Sequence, residues 1–410
     1  MHGFSHRHTV PAALAWLDAQ LHTLDGEPVP LRSAAGRVLA APIISTVDVP
    51  GFDRATMDGF AVVADSTEGA TPYNSIPLRV VGDAMPGSPF ARSITVGEAV
   101  RIMTGAPMPS GADAVLPAEF AEAEDEAAPA TDRPATIRAV ATVSPGKNVG
   151  VRGEDIVAGT TLLAAGRVLR PQDIGVISSI GLAQATVVRQ PRVRLVITGN
   201  EILPSGTAPQ NFQITDANGP MLAALAERDG AAVDFPGIVR DDAAGILEAL
   251  QAQADVVIVS GGSSVGIEDL APMLVARHGE LAVHGIAMRP SSPTGMGRIG
   301  NRLVFLLPGN PVSALCAYDF FAGRAIRALG GRQKEWPYRS IRGTLTRKLT
   351  SPIGRLDYAR VRVTDSAVDP LSVAGASILS STTRADGFVI VGDDSEGFPA
   401  GAEVDVWLYA

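Results

Sequence analysis

Residues 255–269 read DVVIVSGGSSVGIED, and the four β-branched residues from Val256 to Val259 leave no polar position for a solvent-facing side. Such a run, closed by two glycines, predicts a strand buried on both faces of a parallel sheet. Three other segments have the same character: VRLVIT from Val193, VDFPGIV from Val233 and RLVFLL from Arg302. Between and after them, GPMLAALAER, AAGILEALQAQ and LAPMLVARHG carry helical spacing. PVSALCAYDFFAGRAIRAL opens with proline at a first helical position and stops at Gly330-Gly331, which predicts one helix. Strand alternating with helix makes this a doubly wound α/β domain.

Ligands of open α/β sheets bind beyond the carboxyl ends of the strands, where glycine lets the backbone approach an anion. Gly261, Gly262, Ser264 and Gly266 form such a turn, although a Gly-Gly turn after a buried strand can also be purely structural. The carboxylates of Glu268 and Asp269 are what a bare turn would not need. Gly309 and Asn310 repeat the arrangement after RLVFLL, where Asn310 reads equally well as a helix cap. The first strand delivers Thr198, Gly199, Asn200 and Glu201, and Asp241 and Asp242 follow the second. At least one of those two aspartates is explained by a helix N-terminus alone. Acids among anion-binding loops suggest magnesium bridging carboxylates to a substrate phosphate.

The flanks differ from this core. Residues 45–149 are rich in Val, Gly and Pro in short alternating runs, and AEFAEAEDEAAPATDRP within them reads as a solvated surface loop. From Trp336 onward, GTLTRKL, DYARVRV, GFVIVG and AEVDVWLYA predict strands of a small β domain. The 410 residues allow two to four domains. A hydrophobic share of 46% against 19% charged marks a globular chain, and a net charge of -9 without a Lys/Arg cluster argues against nucleic acid as partner. The single cysteine, Cys316, excludes an internal disulfide, and no apolar run long enough for a membrane span occurs. The expectation is a cytoplasmic protein.

FDRATMDGFAV puts Asp58 in a turn before a strand, and VRIMTGAPMPSGADAVLP puts Thr104 at a strand exit. By residue type alone both are ordinary turns. Taken with VRGEDI, VITGNEI, ITDANGPML, SGGSSVG, LPGNPVSAL and LSSTTRADGFVIV, they follow the motif order of one family. The chain resembles the molybdopterin molybdenumtransferases, the MoeA/gephyrin E-domain family, over nearly its whole length.

That resemblance implies four units. These are a molybdopterin-binding α/β domain (1–27 and 186–335), a linking domain (28–44 and 150–185), a β-rich insertion domain (45–149) and a C-terminal β-barrel-like domain (336–410). It implies a homodimer whose active site lies between the sheet domain of one subunit and the insertion domain of the other. The implied reaction takes adenylated molybdopterin and molybdate, uses magnesium and releases AMP. An adenylyltransferase would act upstream and molybdoenzymes would receive the product. Carried over by motif, Asp58, Thr104, Glu201, Asp241 and Asp269 are the catalytic set, and Glu201, Asp241 and Asp269 the metal ligands. Gly261, Gly262, Ser264, Gly266, Gly309 and Asn310 would contact substrate, as would Arg289, Ser291 and Ser292.

One loop departs from the family pattern. Where the family has KPGKP, residues 289–293 read RPSSP, so Arg289 and Ser292 stand for the two lysines. Arginine replaces a point charge by a planar fork. One reading is a variant transferase in which the Ser291, Ser292 and Thr294 hydroxyls donate to the oxyanion. The other is a non-catalytic paralogue that binds and delivers finished cofactor.

Overall fold

The computed structural model describes residues 7–123, 135–261, 270–372 and 375–409. The run at Val256 lies inside a seven-stranded sheet built from β1 (Arg192–Thr198), β2 (Ala232–Asp234), β3 (Ile238–Val239), β4 (Val256–Ser260), β5 (Glu280–His284), β6 (Gly295–Ile299) and β7 (Arg302–Leu307). The order across the sheet is β2-β1-β4-β7-β6-β5, with β3 also beside β1. The first four are parallel, β6 pairs antiparallel with β7, and β5 pairs antiparallel with β6.

Alternate residues of β4 explain why its sequence is apolar throughout. Val256 and Ile258 face one layer, with α1 (Val10–Gln20), α2 (Asn218–Arg228), α5 (Pro311–Ala317) and α6 (Gly323–Leu329). Val257 and Val259 face the other, with α3 (Ala243–Gln251) and α4 (Leu270–His278). A strand covered on both sides has no face left for polar side chains.

Two sequence expectations need correction here. VDFPGIV is not one strand but two, β2 and β3, because Pro236 lacks an N–H and Gly237 turns at φ 102°. The helix expected over residues 311–329 is interrupted at Tyr318–Ala322 by a π-helical turn whose five residues are all buried.

Gly26–Pro30 pairs antiparallel with Gln184–Val188, and Ile43–Ile44 with Thr161–Leu163, around a small core that includes Leu39, Ile177 and Val187. A six-stranded sheet covers residues 59–139 in the order Ala114–Pro117, Gly59–Val62, Glu98–Ile102, Ile76–Ala84, Thr136–Ala139 and Ala121–Ala123. The acidic segment is therefore not loop throughout, since Ala121–Ala123 forms the edge strand; residues 124–134 lie outside the described residues.

At the C-terminus, Leu356–Thr364 pairs with both Ala367–Ser372 and Gly387–Val391, which closes the strands into a barrel. Sequence reading missed Ala367–Ser372 because Pro370 argues against a strand; it sits where the ladder shifts register. The barrel is joined to the α/β domain by aromatic packing. Trp336 meets Phe320 of the π turn edge-on at 5.0 Å, and Phe388 and Trp407 at 5.3 and 5.1 Å. Each such pair contributes about 0.5–1.5 kcal/mol beyond its buried area.

Candidate functional site

The chain leaves β1 to form β2 on one side and later returns to form β4 on the other. The ends of β1 and β4 therefore flank the switch point at which open α/β sheets take ligands. Thr198 ends β1 and is 2% exposed, and Ser260 ends β4 and is 1% exposed. Gly261 has φ 105°, and a Cβ there would stand 2.2 Å from the Thr198 carbonyl oxygen, so only glycine fits.

The first residues of α2 close this crevice from behind. Asp216, just before the helix, accepts the Gly219 amide at 2.9 Å and so satisfies a donor of its first turn. Asn218 Nδ2 donates to Ser260 Oγ at 2.9 Å and to the Gly309 carbonyl at 2.8 Å, fastening the turns after β4 and β7 together. Asp216 and Asn218 escaped the sequence reading as site residues, although ITDANGPML contains both. Their signal was an Asp-x-Asn at a helix start, which capping alone would explain.

Glu201, exposed, lies three residues beyond β1, and Asp241, half-buried, two residues beyond β3; β1 and β3 pair in parallel at Thr198 and Val239. The two carboxylates thus belong to the same end of the sheet. Asp242 caps α3, accepting the Gly245 amide at 2.8 Å, so it is the aspartate that the helix N-terminus explains. Gly262, Ser264, Gly266 and Asp269 lie outside the described residues. Gly309 and Asn310 are exposed at the start of α5, and the Asn310 side chain makes no capping hydrogen bond.

Among the described residues no group of three His, Cys, Asp or Glu side chains could hold a metal ion. Magnesium, however, is held by one or two protein carboxylates together with substrate phosphates and water, and Glu201 and Asp241 match that donor chemistry.

The structure brings Asp58 and Thr104 together across 46 residues of sequence. Asp58 Oδ1 accepts both the Thr104 amide and the Thr104 hydroxyl at 2.7 Å. These two donors, the amide first, hold the Asp58 carboxyl below its usual range. The pair is exposed and is built entirely from the insertion sheet, where Asp58 precedes Gly59–Val62 and Thr104 follows Glu98–Ile102.

The RPSSP loop is wired differently from the expectation. Met288–Arg289 adds a parallel strand to the barrel at Leu356–Asp357, and Arg289 makes a two-pronged ion pair with Asp357, which is 0% exposed. Ser291 has φ 95°, which accounts for glycine at this place in the family pattern. Its hydroxyl donates to the Ser313 carbonyl at 2.6 Å, and the Thr294 hydroxyl donates to the Ser291 carbonyl at 2.8 Å. The expected set of three hydroxyl donors is thereby reduced, because Ser291 and Thr294 spend theirs holding the loop. Ser292 Oγ is buried without a partner. It lines a pocket of ≈ 360 Å³ with Asn310, Ser313, Arg289, Arg7 and Arg355. Arg355, contributed by the barrel, was not foreseen.

Three family models match the chain in succession. The family described as MoeA N-terminal region (domain I and II) matches residues 8–181, the probable molybdopterin binding domain residues 194–328, and the MoeA C-terminal region (domain IV) residues 342–409. The chain is 36% identical over 391 residues to molybdopterin molybdenumtransferase 2 of Mycobacterium tuberculosis, covering 92% of this chain and 94% of that one. It is 32% identical over 408 residues to the molybdopterin molybdenumtransferase of Staphylococcus aureus, covering 97% and 95%. The crystal structure of the molybdopterin biosynthesis moea protein from Pyrococcus horikosii superposes with a TM-score of 0.83 at 32% identity, covering 99% of this chain and 100% of that one.

Proposed function

From the premise that this chain belongs to the MoeA family of molybdopterin molybdenumtransferases and serves molybdenum cofactor biosynthesis, we propose that it is the inserting enzyme. In this reading it takes adenylated molybdopterin and molybdate, breaks the phosphoanhydride and releases AMP. The observation that carries it is the gathering of Glu201 and Asp241 at the switch-point end of the sheet. A pure carrier has no use for two carboxylates beside an anionic substrate, whereas a metal-assisted transferase does.

In this mechanism Glu201, Asp241 and Asp269 would hold magnesium, which neutralises phosphoanhydride charge when bound. The remaining work belongs to side chains of this protein. Asp58, kept ionised by Thr104, orients groups of the substrate from the insertion side. Gly261, Gly262, Ser264, Gly266, Gly309 and Asn310 let the backbone approach the substrate. Ser292 and Arg355 offer donors to an oxyanion in the loop pocket, and Arg289 acts by fixing that loop to Asp357. In this reading two copies build each site, the insertion sheet with its Asp58 pair from one facing the α/β domain with its carboxylates from the other. We read the site as cytoplasmic and the four units as bounded above.

The deciding experiment gives purified protein adenylated molybdopterin, molybdate and magnesium. AMP release is expected, with Asp269→Ala lowering it at least about a hundredfold. Tight cofactor binding without AMP from the unaltered protein would replace the enzyme by the delivering paralogue.

A further inference from the structure

Two buried oxygens in the crevice between β1 and β4 have no hydrogen-bond partner: Thr198 Oγ1 and Asn218 Oδ1. Thr198 is 2% exposed and Asn218 7%. Buried polar atoms in folded proteins are nearly always bonded, so an unmatched pair at a ligand-binding crevice points to atoms that a ligand completes.

The amide orientation at Asn218 follows from its surroundings. Its nitrogen faces the Gly309 carbonyl, which can only accept, at 2.8 Å and Ser260 Oγ at 2.9 Å. Ser260 Oγ is itself 3.4 Å from the Pro308 carbonyl, to which it donates. Turning the amide over would set Oδ1 against the Gly309 carbonyl oxygen, two acceptors 2.8 Å apart, and lose that bond, so the unmatched atom is the acceptor. Asn218 Oδ1 therefore requires a donor. The Thr198 hydroxyl can serve as donor or acceptor.

A phosphate presents acceptors, so it is the wrong partner for Asn218 Oδ1. The aminopyrimidine edge of a pterin presents an exocyclic amine and a ring N–H. We infer that Asn218 and Thr198 recognise this edge, with Asn218 Oδ1 accepting from the exocyclic amine. The crevice at Gly261 then takes the ring of the substrate, and the phosphate end points away from it. This reverses the phosphate cradle expected from the glycines, and for the identity of the ligand it rests on the proposed transferase reading.

The test compares two soluble rings, 6-hydroxymethylpterin and 6-hydroxymethyl-lumazine, in which a carbonyl replaces the amine. Binding to the full chain is measured by fluorescence or calorimetry. The unaltered protein is expected to prefer the pterin about tenfold or more. Asn218→Ala and Thr198→Val are expected to cut that preference to about twofold or less, and Thr198→Ser to retain it. AMP affinity is expected to stay unchanged in the two Thr198 variants, which leave the link between the turns in place. Since Asn218→Ala also loses the link between two turns, its melting temperature is taken alongside, and Thr198→Val, which leaves that link intact, decides if the first variant does not fold. Equal affinity for the two rings, no binding of either up to millimolar concentration, or a preference that survives Thr198→Val overturns the inference. AMP release is scored separately. Pterin preference without AMP release would sink the transferase reading alone, and AMP release without pterin preference would sink this inference alone.

Discussion

At Thr104 a single side chain does two things for one carboxylate. Its amide and its hydroxyl both reach Asp58 Oδ1, and the amide has the larger effect on the Asp58 carboxyl. Thr104→Val removes only the hydroxyl. The Asp58 titration midpoint, followed by carboxyl NMR, is expected to rise only part of the way to the ordinary carboxylate value, and AMP release to fall about tenfold through misorientation. A midpoint that does not move would mean that the hydroxyl bond is absent in solution. The same scale shows what a departure from a family pattern does. Ser291 occupies a left-handed position and compensates with a hydroxyl bond to Ser313, while Arg289 spends its fork on Asp357. The hydroxyls of RPSSP could be read as donors from the sequence; that two of them serve the loop could not.

Among the elements, the π turn at Tyr318–Ala322 holds the least expected charge. Asp319 is fully buried there, and its carboxylate accepts the Tyr338 hydroxyl at 2.8 Å and the Tyr358 hydroxyl at 3.3 Å. The Arg228 guanidinium stands 3.8 Å away. Burial, the dominant cause, pushes the carboxyl from 3.8 up to about 6 against the pull of Arg228 and the Tyr338 hydroxyl. Between those values the folded chain binds more protons than the unfolded one, so stability falls as pH rises through the window. From pH 4 to 6 the unaltered protein is expected to lose about 2 kcal/mol relative to Asp319→Asn. Denaturant melts across that range check it, and parallel curves would mean that Asp319 is ionised throughout. Asp18 acts in the opposite direction. Arg324, its strongest influence, and then Lys334 lower it to about 2, so its contribution is lost only as pH falls from about 4 towards 2.

For the whole molecule, the placing of Asp58 and Thr104 on one sheet and of Glu201 and Asp241 on another makes a prediction about subunits. The insertion sheet has its own cores, distinct from those of the α/β domain. If one site is assembled from two chains, Asp58→Ala and Asp241→Ala should each be inactive alone. Mixed with subunit exchange, they should regain about a quarter of the unaltered rate, because half of the dimers are mixed and each of those has one intact site. No recovery after verified exchange would place both halves of the site in one chain.

Much of this protein is determined by local sequence. A strand covered on both faces must be apolar at every position, so three such strands and the helices between them declared the α/β domain, whereas VDFPGIV forms two short strands at its edge that are not fully buried. The Asp58 and Thr104 turns were legible only through motif order, because a turn residue has no periodicity. Pro370 hid a barrel strand, and the π turn left no mark because residue type does not separate it from the helices on either side. What tertiary structure alone decided is which polar atoms remain unmatched. Arg289, Ser291 and Thr294 find partners within the fold, whereas Ser292, Thr198 and the Asn218 carbonyl do not. Hydrogen bonding depends on distances between residues far apart in the chain, and composition and spacing do not contain them.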